Sequence, residues 1–227
     1  MNLANLSQDQ NSRVLIYGEP KTGKTELAGT LSATHNLLWF DLENGFNTLF
    51  KLSPEQQQRI ELVRIKDTKT YPIGIETILK VLTGTEVSIC DAHSKANCPL
   101  CKKDNAPVTT VNLSEITSDT IVVIDSLSQL SNSAMAHLTK QQPDTYKPEW
   151  QDYANQGALL NKVLSQIQQA PYNVVCITHV VETQLEDNTT KLVPMCGTTA
   201  FSRNTAKYFD HVILTELKNK KHVQGSA

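Results

Sequence analysis

The sequence predicts an α/β fold, with a mostly parallel sheet flanked by helices on both faces. Three observations carry this. Short, nearly all-apolar runs alternate with segments of helical spacing, as strands buried on both faces require. The first apolar run ends at a glycine-containing loop that leads into a helix. The pattern is interrupted once, by residues 86–119, which are rich in Cys, Asn and Thr and read as an insertion.

The elements follow in order. Residues 1–12 are polar and read as a leader or oligomerisation segment, and 13–227 as the core domain that carries the insertion. Residues 13–17 (RVLIY) form a strand that stops at Gly18, with a helix over 25–31. Residues 37–40 and 60–65 are the next strands. Ile75, Ile78, Leu79 and Leu82 share one face of a helix over 73–82. The sheet pattern returns after the insertion with 120–125 (TIVVID), and a helix starts at Ser126. Residues 140–150 hold two prolines and read as a loop. Leu159, Leu160, Val163, Leu164 and Ile167 mark an amphipathic helix. Residues 173–178 (NVVCIT) form another buried strand and 180–194 a hairpin turning at 186–188. A short helix over 201–209 and a last strand over 211–216 complete the chain.

Composition bounds the function. The chain has 227 residues, 39% of them hydrophobic and 19% charged, which allows a buried core and argues against wholesale disorder. Its net charge of -2 disfavours nucleic-acid binding through one overall basic surface. No apolar run is long enough to span a membrane, and residues 1–10 lack a signal core, so a cytoplasmic protein is expected.

The segment Gly18-Glu19-Pro20-Lys21-Thr22-Gly23-Lys24-Thr25 matches G-x-x-x-x-G-K-[ST] at every fixed position, between a strand and a helix. Backbone N–H groups of such a loop converge on phosphate oxygens. Lys24 is expected to reach the β- and γ-phosphates of ATP, and the Thr25 hydroxyl to ligate Mg²⁺. The apolar strand ending in Asp125 supplies a second group for Mg²⁺, although an Asp there could also cap the following helix, a role Ser126 could share. Ser126 stands where many ATPases have a catalytic glutamate. Glu43, after the second strand, faces the same crevice in a parallel sheet and could orient the attacking water.

Cys90-x-x-His93-x-x-x-x-Cys98-x-x-Cys101 offers four N/S ligands in two tight knuckles, the pattern of a closed structural Zn²⁺ site. Cys176 reads as a core residue, and Cys196 carries no assignment.

With these motifs in place, the chain resembles the RecA-like recombinase ATPases over about residues 13–222. It looks most like the phage-encoded minimal members described as single-strand annealing proteins. In that family a D-x-E-like segment supplies the catalytic glutamate, which maps onto Glu43, and the metal strand ends in Asp-Ser, as Asp125-Ser126 does. The resemblance makes His179 a γ-phosphate sensor. It makes Lys218 and Lys220 of Lys218-Asn219-Lys220 cations that reach a neighbouring subunit's ATP. It also implies a homo-oligomer, ring or filament, that binds single-stranded DNA in the cytoplasm of a bacterial host, with a single-strand DNA-binding protein as a further possible partner. Relative to the family, the polymerisation segment is expected to be short and no C-terminal domain is expected.

The family's DNA loops correspond to about 140–156 and 181–200 here. Lys147, Trp150, Lys191, Arg203 and Lys207 are the residues that could contact DNA, through stacking and phosphate pairing. Asp144, Glu149 and Asp152 nevertheless leave the first loop net negative. Two other readings stand beside recombination. One is an ATP-gated loader or regulator of a replication or recombination factor with little hydrolysis. The other is a zinc-dependent interaction module with a structural nucleotide site.

Overall fold

A computed structural model of the chain describes residues 11–96, 98, 100–101, 106–184, 188–218 and 221–226, with Lys218 and 221–226 described as backbone only. In chain order the strands are β1 (Arg13–Gly18), β2 (Asn36–Asp41), β3 (Ile60–Arg64), β4 (Val87–Cys90), β5 (Lys95–Ala96), β6 (Val108–Val111), β7 (Thr120–Asp125), β8 (Asn173–Thr178), β9 (Val180–Gln184), β10 (Thr190–Pro194), β11 (His211–Lys218) and β12 (Lys221–Ser226). The helices are α1 (Lys24–Gly29), α2 (Pro54–Gln57), α3 (Gly74–Leu82), α4 (Leu127–Thr139), α5 (Trp150–Gln168) and α6 (Thr199–Ser202).

Seven strands form the main sheet in the order β12-β11-β1-β8-β7-β2-β3. All neighbours are parallel except β11 and β12, which pair antiparallel. Alternation along each central strand sends side chains to two separate cores. Leu15, Leu38, Phe40, Val122, Ile124, Val174 and Cys176 join the larger core with residues of α3, α4 and α5. Ile16, Leu37, Trp39, Ile121, Val123, Val175 and Ile177 join the smaller one with Ala28 of α1. Both faces are thus covered, which explains why these strands read as unbroken apolar runs. The mostly parallel sheet flanked by helices is the fold the sequence indicated.

Several boundaries differ. The first helix is a short α-turn followed by a 3-10 turn over Thr30–Ala33. The single helix expected over 201–209 is two separate turns, α6 and a 3-10 turn over Thr205–Tyr208, because Arg203 and Asn204 break the run. α5 begins at Trp150, nine residues before the apolar stripe that marked it. β12 was not anticipated, since KHVQGS shows no apolar run. The described residues within 86–119 include three strands that their poor periodicity did not suggest. β4, β5 and β6 form a small antiparallel sheet in the order β5-β4-β6, with Cys90 at the end of β4. Among the described residues no helix is long and apolar enough to cross a membrane.

Candidate active site and metal cluster

The parallel arrangement brings the carboxyl ends of β1, β2, β7 and β8 to one edge, where their loops meet. Gly18 ends β1 where β11 crowds it. A Cβ there would lie 2.3 Å from both Thr215 O and Thr215 Oγ1, so only glycine fits. Gly23 precedes α1 with φ 89 and is likewise suited to its place.

Lys24 is buried, and its Nζ donates to Gly18 O at 2.9 Å and Glu19 O at 2.8 Å, which lays the side chain back along the loop. Burial lowers its pKa, while Glu43, Asp125 and Glu19 partly restore it. Thr25 Oγ1 donates to Asp125 Oδ2 at 3.1 Å, so the two groups expected at Mg²⁺ already meet. Asp125 is 2% exposed, and its pKa is pushed up to about 7 by burial first and then by the nearby Glu43 and Asp41 charges. A buried carboxylate crowded by two others is relieved by a cation, and the Thr25–Asp125 donor set fits a hard, oxygen-seeking one. Thr22 is different. Its buried hydroxyl pairs with Thr215 Oγ1 at 2.7 Å, which braces the loop against β11.

Glu43 sits opposite. Ser126 Oγ donates to Glu43 Oε1, and His179 Nε2 lies 3.3 Å from the same oxygen. Burial opposes ionisation of Glu43, but the hydrogen bonds of His179 and Ser126 and the charge of Lys24 outweigh it and hold its pKa below the usual value. His179 is fixed in turn. Its N–H donates to Ser128 Oγ at 2.9 Å, and Ser128 Oγ pairs with Thr178 Oγ1 at 2.8 Å. A cleft of about 340 Å³ is lined by Lys21, Lys24, Thr25, Glu43, Asp125, Ser126 and His179, among others. A second cleft of about 430 Å³ lies on the other side of Glu43 and reaches Arg64, Lys66 and Ser94.

Sequence reasoning missed three residues here. Asp41 accepts the Glu43 and Gly45 N–H groups, and the D-x-E spacing itself was the available signal. Ser126 reads from the sequence as a helix cap and as part of the Asp-Ser ending, not as a partner of Glu43; it does cap, accepting from Gln129 N at 3.2 Å. Lys51 lines the nucleotide cleft and pairs with Glu26 at 3.3 Å, and nothing in the sequence marked it.

The donor atoms of Cys90, His93, Cys98 and Cys101 all lie within 4.8 Å of one another. His93 Nδ1 is 3.2 Å from Cys101 Sγ and 3.7 Å from Cys98 Sγ. A tetrahedral zinc with Zn–S bonds near 2.3 Å sets donor separations of roughly 3.8 Å, so this cluster could hold Zn²⁺. Desolvation drives the Cys101 thiol up, as do the Cys90 and Cys98 sulfurs. At Cys98 desolvation acts the same way but is outweighed by N–H groups of Cys101 and Leu100, so that thiol ionises more easily. Cys176 and Cys196 are buried in the larger core, apart from this cluster.

The residues marked for DNA contact are dispersed over several elements. Trp150, at the start of α5, is 80% exposed, and Lys147 and Lys191 are exposed. Arg203 is committed to the β9–β10 hairpin, donating from Nε to Thr183 Oγ1 at 2.7 Å and from Nη2 to Gln184 O at 3.0 Å. Lys207 lies over the Tyr208 ring at 5.1 Å. Lys220 lies outside the described residues, and of Lys218 only the backbone is described.

Comparison with known proteins agrees with this geometry. The family described as AAA domain matches residues 10–225. No curated protein matches. Among solved structures, an ATPase from the type III secretion system of pathogenic bacteria aligns with a TM-score of 0.50 and 11% identity, covering 91% of this chain and 52% of that one. The chain thus spans about half the length of that ATPase, and the likeness is one of fold: a phosphate-loop nucleotide-binding core.

Proposed function

The chain belongs to the AAA domain family, and we propose that it hydrolyses ATP with Mg²⁺ and couples that reaction to single-stranded DNA in recombination, as an annealing or recombinase-type homo-oligomer. The observation that carries hydrolysis is the convergence of Lys24, Thr25, Asp125, Glu43 and His179 on one cleft. In this reading the loop amides and Lys24 hold the β- and γ-phosphates; Thr25 and Asp125 would hold Mg²⁺, which would supply charge neutralisation at the phosphates. Glu43 Oε2 accepts the proton of a water whose oxygen bonds to the γ-phosphorus. The bond to the bridging oxygen breaks, which gives ADP and phosphate. His179 lines the same cleft 3.3 Å from Glu43, which supports reading it as the γ-phosphate sensor.

DNA coupling rests on the RecA-like order of the site elements and on the exposed Trp150 beside Lys147. Lys218 and Lys220 are proposed to act on a neighbour's ATP by the same resemblance. The four-donor cluster is proposed to bind Zn²⁺ and to stabilise the β4–β6 element. Carboxylates around Trp150 favour a second reading, the ATP-gated loader that docks on a protein. Turnover measured with and without single-stranded DNA, alongside particle mass with both ligands present, separates them. DNA-stimulated turnover by an oligomer supports recombination, and tight ATP binding without turnover supports the loader.

A further inference from the structure

We infer that Ser126 and Asp41 are positioning residues that fix which oxygen of Glu43 meets the attacking water. The inference rests on the reading of Glu43 as the water-orienting carboxylate. Its basis is that Glu43 is held twice, once by its backbone and once by its side chain.

The backbone is held by Asp41. This residue is 2% exposed, and its Oδ1 accepts Glu43 N at 3.2 Å and Gly45 N at 3.1 Å. The turn between those amides passes through Asn44, at φ 60, whose Oδ1 accepts from Arg64 Nη2 at 2.8 Å. Leu42 N donates to Asp125 O at 2.7 Å, so the residue before Glu43 is tied to the strand that ends in the metal carboxylate.

The side chain is held by Ser126, which is 1% exposed. Its hydroxyl oxygen accepts from Gln129 N at 3.2 Å, which leaves its proton for Glu43 Oε1. His179 Nε2 approaches that same oxygen. Both contacts therefore fall on Oε1, and Oε2 is uncommitted among the described residues. A carboxylate that turns freely presents either oxygen to water. One held by two groups at Oε1 presents Oε2 alone, and an ionised carboxylate acts only as an acceptor. Because Ser126 follows Asp125 directly, the metal ligand and the water-orienting group share one rigid frame.

The test is steady-state ATP turnover by the full chain. Ser126→Ala should lower kcat roughly ten- to hundredfold, as a misplaced catalytic group does, with KM for ATP changed less than about threefold. Ser126→Thr keeps both donor and acceptor and should recover most of that loss. Ser126→Asp keeps an excellent helix cap but loses the donor, so it should stay as slow as Ser126→Ala. Asp41→Ala should likewise lower kcat more than it raises KM. In a Glu43→Gln background, Ser126→Ala should cost less than about twofold, since no carboxylate remains to orient. Recovery by Ser126→Asp, or full additivity with Glu43→Gln, would overturn the inference in favour of plain helix capping. Wild-type turnover by Glu43→Gln would instead reject the reading of Glu43, a different result.

Discussion

The donors of the nucleotide cleft come from distant parts of the chain. Thr25 meets Asp125 across 100 residues, and Ser126 meets Glu43 across 83. The four donors of the Cys/His cluster come from residues 90–101. The first site is a by-product of strand register. β2 and β7 pair Asp41 with Asp125, and two apolar cores hold that pairing whatever is bound. The second site has a short, three-stranded sheet of its own and a core cluster consisting of Cys90, Cys98 and Cys101 with Ala106 against it. Val87 and Ile89 of β4 and Val111 of β6 are anchored in the larger core, so a bound ion would stabilise chiefly the turns that carry its ligands. A mutation in the cleft should therefore change chemistry without unfolding, and a mutation in the cluster should change local structure without touching chemistry first.

The largest expected effect is Lys24→Ala. It removes the ammonium that lies along the loop, and ATP binding measured by calorimetry should vanish while the melting profile stays cooperative. Glu43→Gln should retain ATP affinity and lose about a hundredfold or more in turnover, within the range for a lost general base. Global unfolding by either variant would break the comparison.

Next in size is loss of the metal. Elemental analysis of protein prepared without chelators should find one zinc per chain. Cys98→Ser combined with Cys101→Ser should abolish it. Amide exchange should then speed up around Cys90, His93 and β5, while β1, β2, β7 and β8 keep their protection. Equal loosening of both regions would show that the ion also supports the main core.

A smaller effect concerns pH. Asp125 titrates at about 7 in the folded chain, well above the ordinary carboxylate value of about 3.9. Between those values the folded chain keeps a proton that the unfolded chain releases, so this group makes stability fall as pH rises through that window. Bound Mg²⁺ opposes the loss by stabilising the charged form. In Mg²⁺-free buffer the melting temperature of wild type should decline from about pH 5 to about pH 7.5 more steeply than that of Asp125→Asn. MgATP should flatten the difference. Parallel profiles for the two proteins would remove Asp125 as the group responsible.

The same contrast explains what the sequence disclosed. Strands buried on both faces leave apolar runs, so β1, β2, β7 and β8 were legible, and with them the loop, Asp125 and Glu43 at their ends; His179 came only from the resemblance to the recombinase ATPases. β4 to β6 are two to four residues long and partly exposed, so they left no periodic trace. The first turns of α5 were illegible because Trp150 and Tyr153 point away from any core. Asp41, Ser126 and Lys51 were missed for a different reason. Their importance lies in which atom each one meets across the sheet, and spacing along a chain does not encode that. The cluster at 90–101 was legible because its ligands are neighbours in sequence.

The smallest effect on the fold belongs to Trp150, and it tests whether the cleft communicates with the exposed start of α5. At 80% exposure the indole contributes little to the core, so Trp150→Ala should shift stability by no more than about 0.5 kcal/mol. Any role must then be in contact with a partner. Stacking on a base is worth about 1–3 kcal/mol, so loss of the indole should weaken single-stranded DNA binding roughly five- to hundredfold and reduce DNA stimulation of turnover accordingly. Trp150→Phe retains a ring and should recover part of the affinity. Carboxylates at Asp144, Glu149 and Asp152 oppose a phosphate backbone, so neutralising Asp144 and Glu149 together should tighten DNA binding at low salt if the strand passes there. A protein partner with a basic surface would give the reverse, since the same neutralisation would weaken its docking. DNA affinity unaffected by both Trp150→Ala and the double neutralisation would move the DNA path off this helix.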